Sequence, residues 1–91
     1  MSKRLIINVT GKVQGVGFRI YALSQGEILN LKGYAQNEKD GSVTIVAEGK
    51  KENLAKLFEW AKHGPRMAYV KKITLRWEKY TGEFSSFEIK N

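Results

Sequence analysis

Apolar and polar residues alternate over residues 5–9, where Leu5, Ile7 and Val9 fall on one side. This alternation predicts a β-strand with one more polar face. The spacing then lengthens to four, four and three residues through Phe18, Ala22, Gly26 and Leu29. Such spacing places these residues on one face of an α-helix. Gly26 on that face indicates a close approach of the helix to a sheet, and Asn30 favours the left-handed conformation that ends a helix.

The second half of the chain repeats this change of period. Strand patterns at 33–37 and 42–48 flank a turn signal formed by Lys39, Asp40 and Gly41. A second amphipathic helix follows, and Gly64 and Pro65 mark its end. A long strand is predicted over residues 70–80 and a short one near the C-terminus. The apolar residues that define these last three elements are Leu54, Leu57, Phe58, Ala61, Ile73, Leu75, Trp77, Phe87 and Ile89.

The predicted order is strand, helix, strand, strand, helix, strand, with a short extra C-terminal strand. This order is typical of an α+β, ferredoxin-like βαββαβ sandwich, with two helices on one face of an antiparallel sheet. Residues 1–91 show no internal repeat, linker or low-complexity tract, so we expect a single domain. The fold supports many activities, and function must therefore be argued from a site.

The junction between the first strand and the first helix carries the most distinctive pattern, GKVQGVGFR at residues 11–19. Gly11, Gly15 and Gly17 lack side chains and reach positive φ readily, so a loop there can turn several N–H groups toward one point. The helix start adds unpaired N–H groups and the positive end of its dipole. Arg19 stands at the end of the loop, where its planar fork can hold two phosphate oxygens. The pattern predicts an oxyanion site.

Composition narrows the classes of function without choosing among them. The chain has no cysteine, which excludes disulfides, thiolate catalysis and zinc–sulfur sites. No apolar run approaches the roughly 20 residues of a membrane span, and the N-terminus does not resemble a secretory signal. We therefore expect a cytoplasmic protein with no membrane partner. The net charge of +7 comes from lysines scattered along the chain; it favours anionic partners in general, and a solvated lysine surface explains most of it.

Three segments together resemble the acylphosphatase family. They are GKVQGVGFR at 11–19, GYAQN at 33–37 and DGSV at 40–43. The similarity also includes the element order, the EG at 48–49 and the GP at 64–65, and so covers nearly the whole chain. The resemblance implies hydrolysis of the carboxyl–phosphate bond of a small-molecule acyl phosphate, which yields a carboxylate and inorganic phosphate.

The same resemblance assigns the site residues. It implies that a phosphate-binding loop holds the phosphoryl group, and that Asn37 orients the attacking water. The loop would contribute the main-chain N–H groups of Gln14, Gly15, Val16, Gly17 and Phe18, with the side chain of Arg19. We expect no metal and no cofactor, because the acids are isolated and the one histidine has no partner motif. From the residues alone, Asn37 could instead form an Asx turn before the predicted hairpin.

The sequence leaves two alternatives open. A nucleic-acid-binding ferredoxin-like domain would explain the basic charge, and residues 15–18 faintly echo the glycine–aromatic motif of RNA-recognition domains. That motif belongs in a central strand with exposed aromatic rings, whereas Phe18 begins a buried helix face; we expect no nucleic-acid partner. A regulatory or maturation module of a larger enzyme could also keep such a loop, but no second domain is present in the 91 residues. The expected protein is a monomeric enzyme.

Overall fold

A computed structural model describes all residues from Met1 to Asn91, and the predicted order of elements is confirmed. Five strands and two helices are present. In chain order they are β1 (Ser2–Lys12), α1 (Phe18–Ile28), β2 (Lys32–Asn37), β3 (Val43–Lys50), α2 (Lys51–Ala61), β4 (Tyr69–Glu78) and β5 (Phe87–Lys90). Each helix has 11 residues, and neither is long and apolar enough to cross a membrane.

The strands form one sheet in the order β4-β1-β3-β2-β5. The central pair is antiparallel, with Leu5 opposite Ala47 and Val9 opposite Val43. Helix α1 connects β1 to β2, and α2 connects β3 to β4, so each helical connection passes over one intervening strand. This is the ferredoxin-like arrangement that the periodicity predicts.

The four strands of the βαββαβ unit are antiparallel, as the predicted fold class requires, whereas the sequence does not predict the direction of the extra C-terminal strand. β5 pairs with β2 in the parallel direction, from Gly33 opposite Phe87 to Gln36 opposite Lys90, so the sheet is mixed. The topology explains this direction. β4 is antiparallel to β1, so β4 ends at the same end of the sheet at which β2 begins. Residues 79–86 cross the sheet at that end, and the chain then enters β5 running beside β2.

The core lies between the sheet and the two helices. Leu5, Ile7 and Val9 of β1 are fully buried, as their alternation predicts. The helices cover this face with residues that the helical spacing also identifies: Phe18, Ala22, Leu54, Leu57 and Ala61 are all buried. Edge strand β4 lies beyond the helices, and its Leu75 and Trp77 remain about 40% exposed although they point to the same side.

Two local predictions about α1 are confirmed. Asn30 adopts φ 57° just after the helix, the left-handed conformation expected of a helix end. A Cβ atom on Gly26 would lie 2.5 Å from the ring of Phe87, so only glycine allows the present distance between α1 and β5. Gly26 thus brings β5 close to the helix, and this packing places the C-terminus near the site described next.

Candidate active site

The glycine loop, the first turn of α1 and the ends of β2 and β5 meet at one end of the sheet. They enclose a cavity of about 290 Å³. Arg19 and Asn37 both line this cavity, although they are 18 positions apart in the chain. The other lining residues are Val13, Gly15, Gly17, Phe18, Ile20, Ile89 and Asn91. Arg19 is the only residue in the set with an ionisable side chain.

The backbone of the loop presents unpaired donors at this cavity. Gly15 and Gly17 have φ of 75° and 81°, in the left-handed region that glycine adopts without strain. The N–H groups of residues 14–18 donate no hydrogen bond to any backbone or side-chain acceptor of the protein. Gly17 is the N-cap of α1 and offers no capping side chain. These donors are therefore available to an oxyanion.

The start of α1 also lacks a negative charge of its own. No acidic residue lies in its first turn, whereas the first turn of α2 contains Glu52. An acid in the first turn compensates the positive end of a helix dipole. At α1 that compensation is missing, so the dipole adds to the positive potential of the cavity.

Arg19 contributes the charged donor, and its contacts were not predicted from the sequence. Its Nη1 donates to the carbonyl of Lys90 at 2.8 Å and to Oδ1 of Asn91 at 3.3 Å. No carboxylate lies within ion-pair distance of this guanidinium. The C-terminal residues thus hold Nη1 of Arg19, while the positive charge of the guanidinium has no carboxylate partner in the chain. Nothing in the spacing of residues 11–19 indicates the contact with residues 90 and 91.

Gln14 and Val16 do not line the cavity with their side chains. Nε2 of Gln14 donates to the carbonyls of Glu38 at 2.8 Å and Ser42 at 2.9 Å, which ties the loop to the β2–β3 turn. Val16 packs half-buried against the core. These two residues can therefore offer only their backbone N–H groups to a ligand. The sequence pattern did not reveal that Gln14 fixes the loop.

Asn37 is the last residue of β2, opposite Val43, and its half-buried side chain forms no hydrogen bond within the protein. The Asx-turn alternative for Asn37 is wrong. The turn is formed by Asp40 instead, whose Oδ1 accepts from the amide of Ser42 at 2.9 Å and from its hydroxyl at 2.6 Å. These bonds lower the pKa of Asp40. The amide of Asn37 therefore remains available at the cavity.

No part of the site has the composition of a metal centre, since no three histidine, aspartate or glutamate residues cluster in the chain. What the arrangement can do is bind an anion through main-chain N–H groups and a guanidinium, with a neutral amide beside it. An amide both donates and accepts hydrogen bonds without titrating. These are the groups needed to hold a phosphoryl group and a water molecule together.

Comparison with known proteins agrees with this geometry. The family model described as Acylphosphatase matches residues 5–89. An acylphosphatase of Caldanaerobacter subterraneus subsp. tengcongensis is 40% identical over 89 residues, which cover 98% of this chain and 99% of that protein. One of Pelotomaculum thermopropionicum is 43% identical over 86 residues, with 94% of each chain covered.

A solved structure is similar over its full length. The crystal structure of acylphosphatase from Bacillus subtilis superposes with a TM-score of 0.93 at 32% identity, and 100% of each chain is covered. Fold, glycine loop and full-length similarity therefore lead to the same conclusion. The chain belongs to the acylphosphatase family.

Proposed function

We propose that this acylphosphatase holds the phosphoryl group of its substrate on the N–H groups of residues 14–18 and on Arg19, while Asn37 orients the attacking water. The observation that carries the proposal is the shared cavity. Loop residues whose N–H groups have no acceptor, a guanidinium without a carboxylate partner and a free side-chain amide line one cavity of about 290 Å³.

The reaction explains why so few groups are needed. Hydrolysis of an acyl phosphate releases a carboxylate, which is stable at neutral pH because its conjugate acid has a pKa of about 4. No strong general acid is required for such a leaving group. A cavity in which only Arg19 has an ionisable side chain suits this chemistry.

The remaining task is electrostatic and geometric. Charge on the phosphoryl oxygens must be stabilised as the bond to the leaving group lengthens, and fixed donors do this without reorganisation. The nucleophile must lie in line with the leaving oxygen. The amide of Asn37, at the end of a β-strand, can hold one water in that position.

We further propose that the enzyme acts without a metal, as a cytoplasmic monomer, on a small-molecule acyl phosphate. Its uncompensated positive cavity supports an anionic substrate. The nucleic-acid alternative would need exposed aromatic rings at the glycine motif, but Phe18 is 1% exposed and begins α1.

Hydrolysis of benzoyl phosphate in the presence of a chelator tests the proposal. We expect turnover of benzoyl phosphate with no added metal, and none of p-nitrophenyl phosphate, whose leaving group is a phenol. Arg76→Lys serves as a control for the substitution of Arg19 by lysine, because Arg76 is exposed on β4 and pairs only with Glu78. Comparable turnover of both substrates would indicate a general phosphatase, and no turnover of either would contradict the assignment.

A further inference from the structure

The most buried carboxylate of the protein lies on the opposite face of the sheet, away from the cavity. Glu48 of β3 is 2% exposed and accepts four hydrogen bonds. Its donors are Nε of Arg4 at 2.9 Å, the amide and hydroxyl of Thr81 at 2.9 and 3.0 Å, and the amide of Gly82 at 3.0 Å. Three of the four donors belong to the segment that connects β4 to β5.

That segment, residues 79–86, is here called the crossing segment, because it runs over the helix-free face from one edge of the sheet to the other. Phe84 holds it to the sheet. The ring of Phe84 packs edge-on against Tyr34 at 5.8 Å, and the guanidinium of Arg4 lies 5.0 Å from its centroid. Glu48 and Arg4 therefore anchor the crossing segment at two points.

The crossing segment continues directly into β5. The amide of Gly33 donates to the carbonyl of Ser86 at 3.0 Å, and the parallel pairing with β2 begins one residue later at Phe87. β5 has only four residues, of which only Phe87 is buried. A strand this short depends on its entry point for its position, because it has few contacts of its own.

The far end of β5 reaches the phosphate cavity. The carbonyl of Lys90 accepts from Nη1 of Arg19 at 2.8 Å, and the ammonium of Lys90 lies 4.0 Å over the ring of Tyr34. Glu48 itself is opposite Lys32, five residues before Asn37 on β2, a distance of about 17 Å along the strand. Glu48 cannot touch the site, but it holds the segment that carries Lys90 there.

We propose that Glu48 and Arg4 are positioning residues for Arg19, acting through the crossing segment and β5. The inference rests on the proposed role of Arg19 in binding the phosphoryl group. With Glu48 in place, β5 pairs with β2 at one register, and the Lys90 carbonyl holds the guanidinium of Arg19 toward the cavity. With Glu48 neutralised, the crossing segment loosens and Arg19 samples other rotamers.

The test is the affinity of the enzyme for inorganic phosphate, measured as competitive inhibition of benzoyl phosphate hydrolysis well below the unfolding temperature. Glu48→Gln keeps the shape of the side chain but removes its charge. We expect it to raise the inhibition constant for phosphate and the KM for benzoyl phosphate by about fivefold. Thr81→Ala should act in the same direction by a smaller factor, and Thr81→Ser, which keeps the hydroxyl, should restore the parental value.

A second comparison separates positioning from simple destabilisation. In a variant that lacks residues 90 and 91, Glu48→Gln should change the phosphate inhibition constant by less than twofold, because the contact through which it acts is gone. Leu57→Val in α2 removes core contacts without touching the crossing segment, and it should leave phosphate affinity at the parental value. Each of these variants and the parent protein is checked for cooperative thermal unfolding.

The outcomes distinguish this inference from the proposed function. If the parent hydrolyses benzoyl phosphate but Glu48→Gln lowers only its stability, the positioning role is wrong and the site assignment stands. If Glu48→Gln has the same effect with and without residues 90 and 91, the coupling does not run through β5 and the inference is also overturned. If the parent neither turns over benzoyl phosphate nor binds phosphate, both proposals fall together.

Discussion

Two polar clusters at opposite ends of the sheet differ in how their donors and acceptors are used. Around Glu48 every group has a partner: four donors meet one buried carboxylate, and its charge is matched by Arg4. Around Arg19 the main-chain N–H groups of residues 14–18 have no acceptor, and the guanidinium has no carboxylate. Burying a polar group without a partner costs free energy, so a saturated cluster stabilises the fold. An unsaturated one indicates a ligand site.

The two helices show the same contrast. α2 starts with Glu52 in its first turn, and a hydrogen bond from its own main-chain N–H lowers the pKa of this carboxyl. α1 starts after Gly17 with neither a capping side chain nor an acid. Both helices are of equal length and pack on the same face. The difference is therefore local, and it leaves the positive end of one dipole for an anion.

The largest expected effect comes from a substitution in the unsaturated cluster. Arg19→Lys replaces a planar fork by a single ammonium, so it should lower kcat/KM for benzoyl phosphate by about 10³. The free energy of unfolding should change by less than about 1 kcal/mol, because Arg19 forms no ion pair in the fold. Steady-state kinetics and denaturant unfolding measure the two quantities. Turnover within a factor of a few of the parental value would contradict the role of Arg19.

A substitution in the saturated cluster should instead lower the stability of the fold. Glu48→Ala leaves Arg4 and the amides of Thr81 and Gly82 without their acceptor, and the free energy of unfolding should fall by about 3 kcal/mol or more. Urea unfolding measures this change. Glu78→Ala is the matched control, because Glu78 forms a more exposed pair with Arg76 and should cost less than about 1 kcal/mol. Equal losses for the two variants would show that saturation around Glu48 has no special weight.

Asn37→Ala tests the division of labour within the unsaturated cluster. It should lower kcat by about 10², because a misplaced water loses its alignment with the phosphorus. The inhibition constant of inorganic phosphate should stay within about twofold of the parental value, since the loop donors and Arg19 are intact. Asn53→Ala in α2 controls for loss of an amide elsewhere. An equal loss of phosphate affinity and turnover would mean that Asn37 binds phosphate rather than water.

Gly26→Ala sharpens the comparison at the contact between α1 and β5. Alanine is favoured over glycine in a helix by about 1 kcal/mol, but the added Cβ would lie 2.5 Å from the Phe87 ring. Overpacking costs about 1–3 kcal/mol, so we expect a net loss of about 1 kcal/mol in the free energy of unfolding. Ser24→Ala on the exposed side of the same helix should be neutral or stabilising. A gain in stability for Gly26→Ala would show that Phe87 moves aside freely.

The smallest expected effect is the loss of stability at acid pH. Burial alone would raise the pKa of Glu48, but hydrogen bonds from Thr81, Arg4 and Gly82 outweigh burial and lower it. The exposed Glu83, which also bonds Arg4, has its pKa lowered as well. Stability from these carboxylates is fully present above the ordinary glutamate pKa of about 4.3, and it is lost as pH falls through their lowered values. Thermal unfolding should change little between about pH 8 and 6 and decline below about pH 4; the decline should be smaller in Glu48→Gln.

Several features could be predicted from short stretches of sequence. The buried face of α1, the left-handed Asn30 and the Gly64–Pro65 stop depend on residues within one or two turns of each other. The glycine loop is also a local feature, because positive φ and missing side chains belong to the residues themselves. Asn37 was reached only through the resemblance, since a single asparagine before a turn has several ordinary uses.

The direction and the contacts of the C-terminal strand could not be predicted in the same way. It pairs with β2 in the parallel direction, and this direction depends on where β4 ends and on the path of residues 79–86. The contact between Arg19 and Lys90 joins residues 71 positions apart. The bonds from Thr81 to Glu48 span 33 positions. No periodicity in a single sequence carries information about such pairs.

The amino-acid sequence by itself therefore determined the elements, their order and the loop that can bind an anion, because these follow from side-chain periodicity and local backbone preference. Tertiary structure alone decided which face carries the buried Glu48, which direction β5 takes and what holds the guanidinium of Arg19. Those features require distant segments to meet, and the sheet topology sets where they meet.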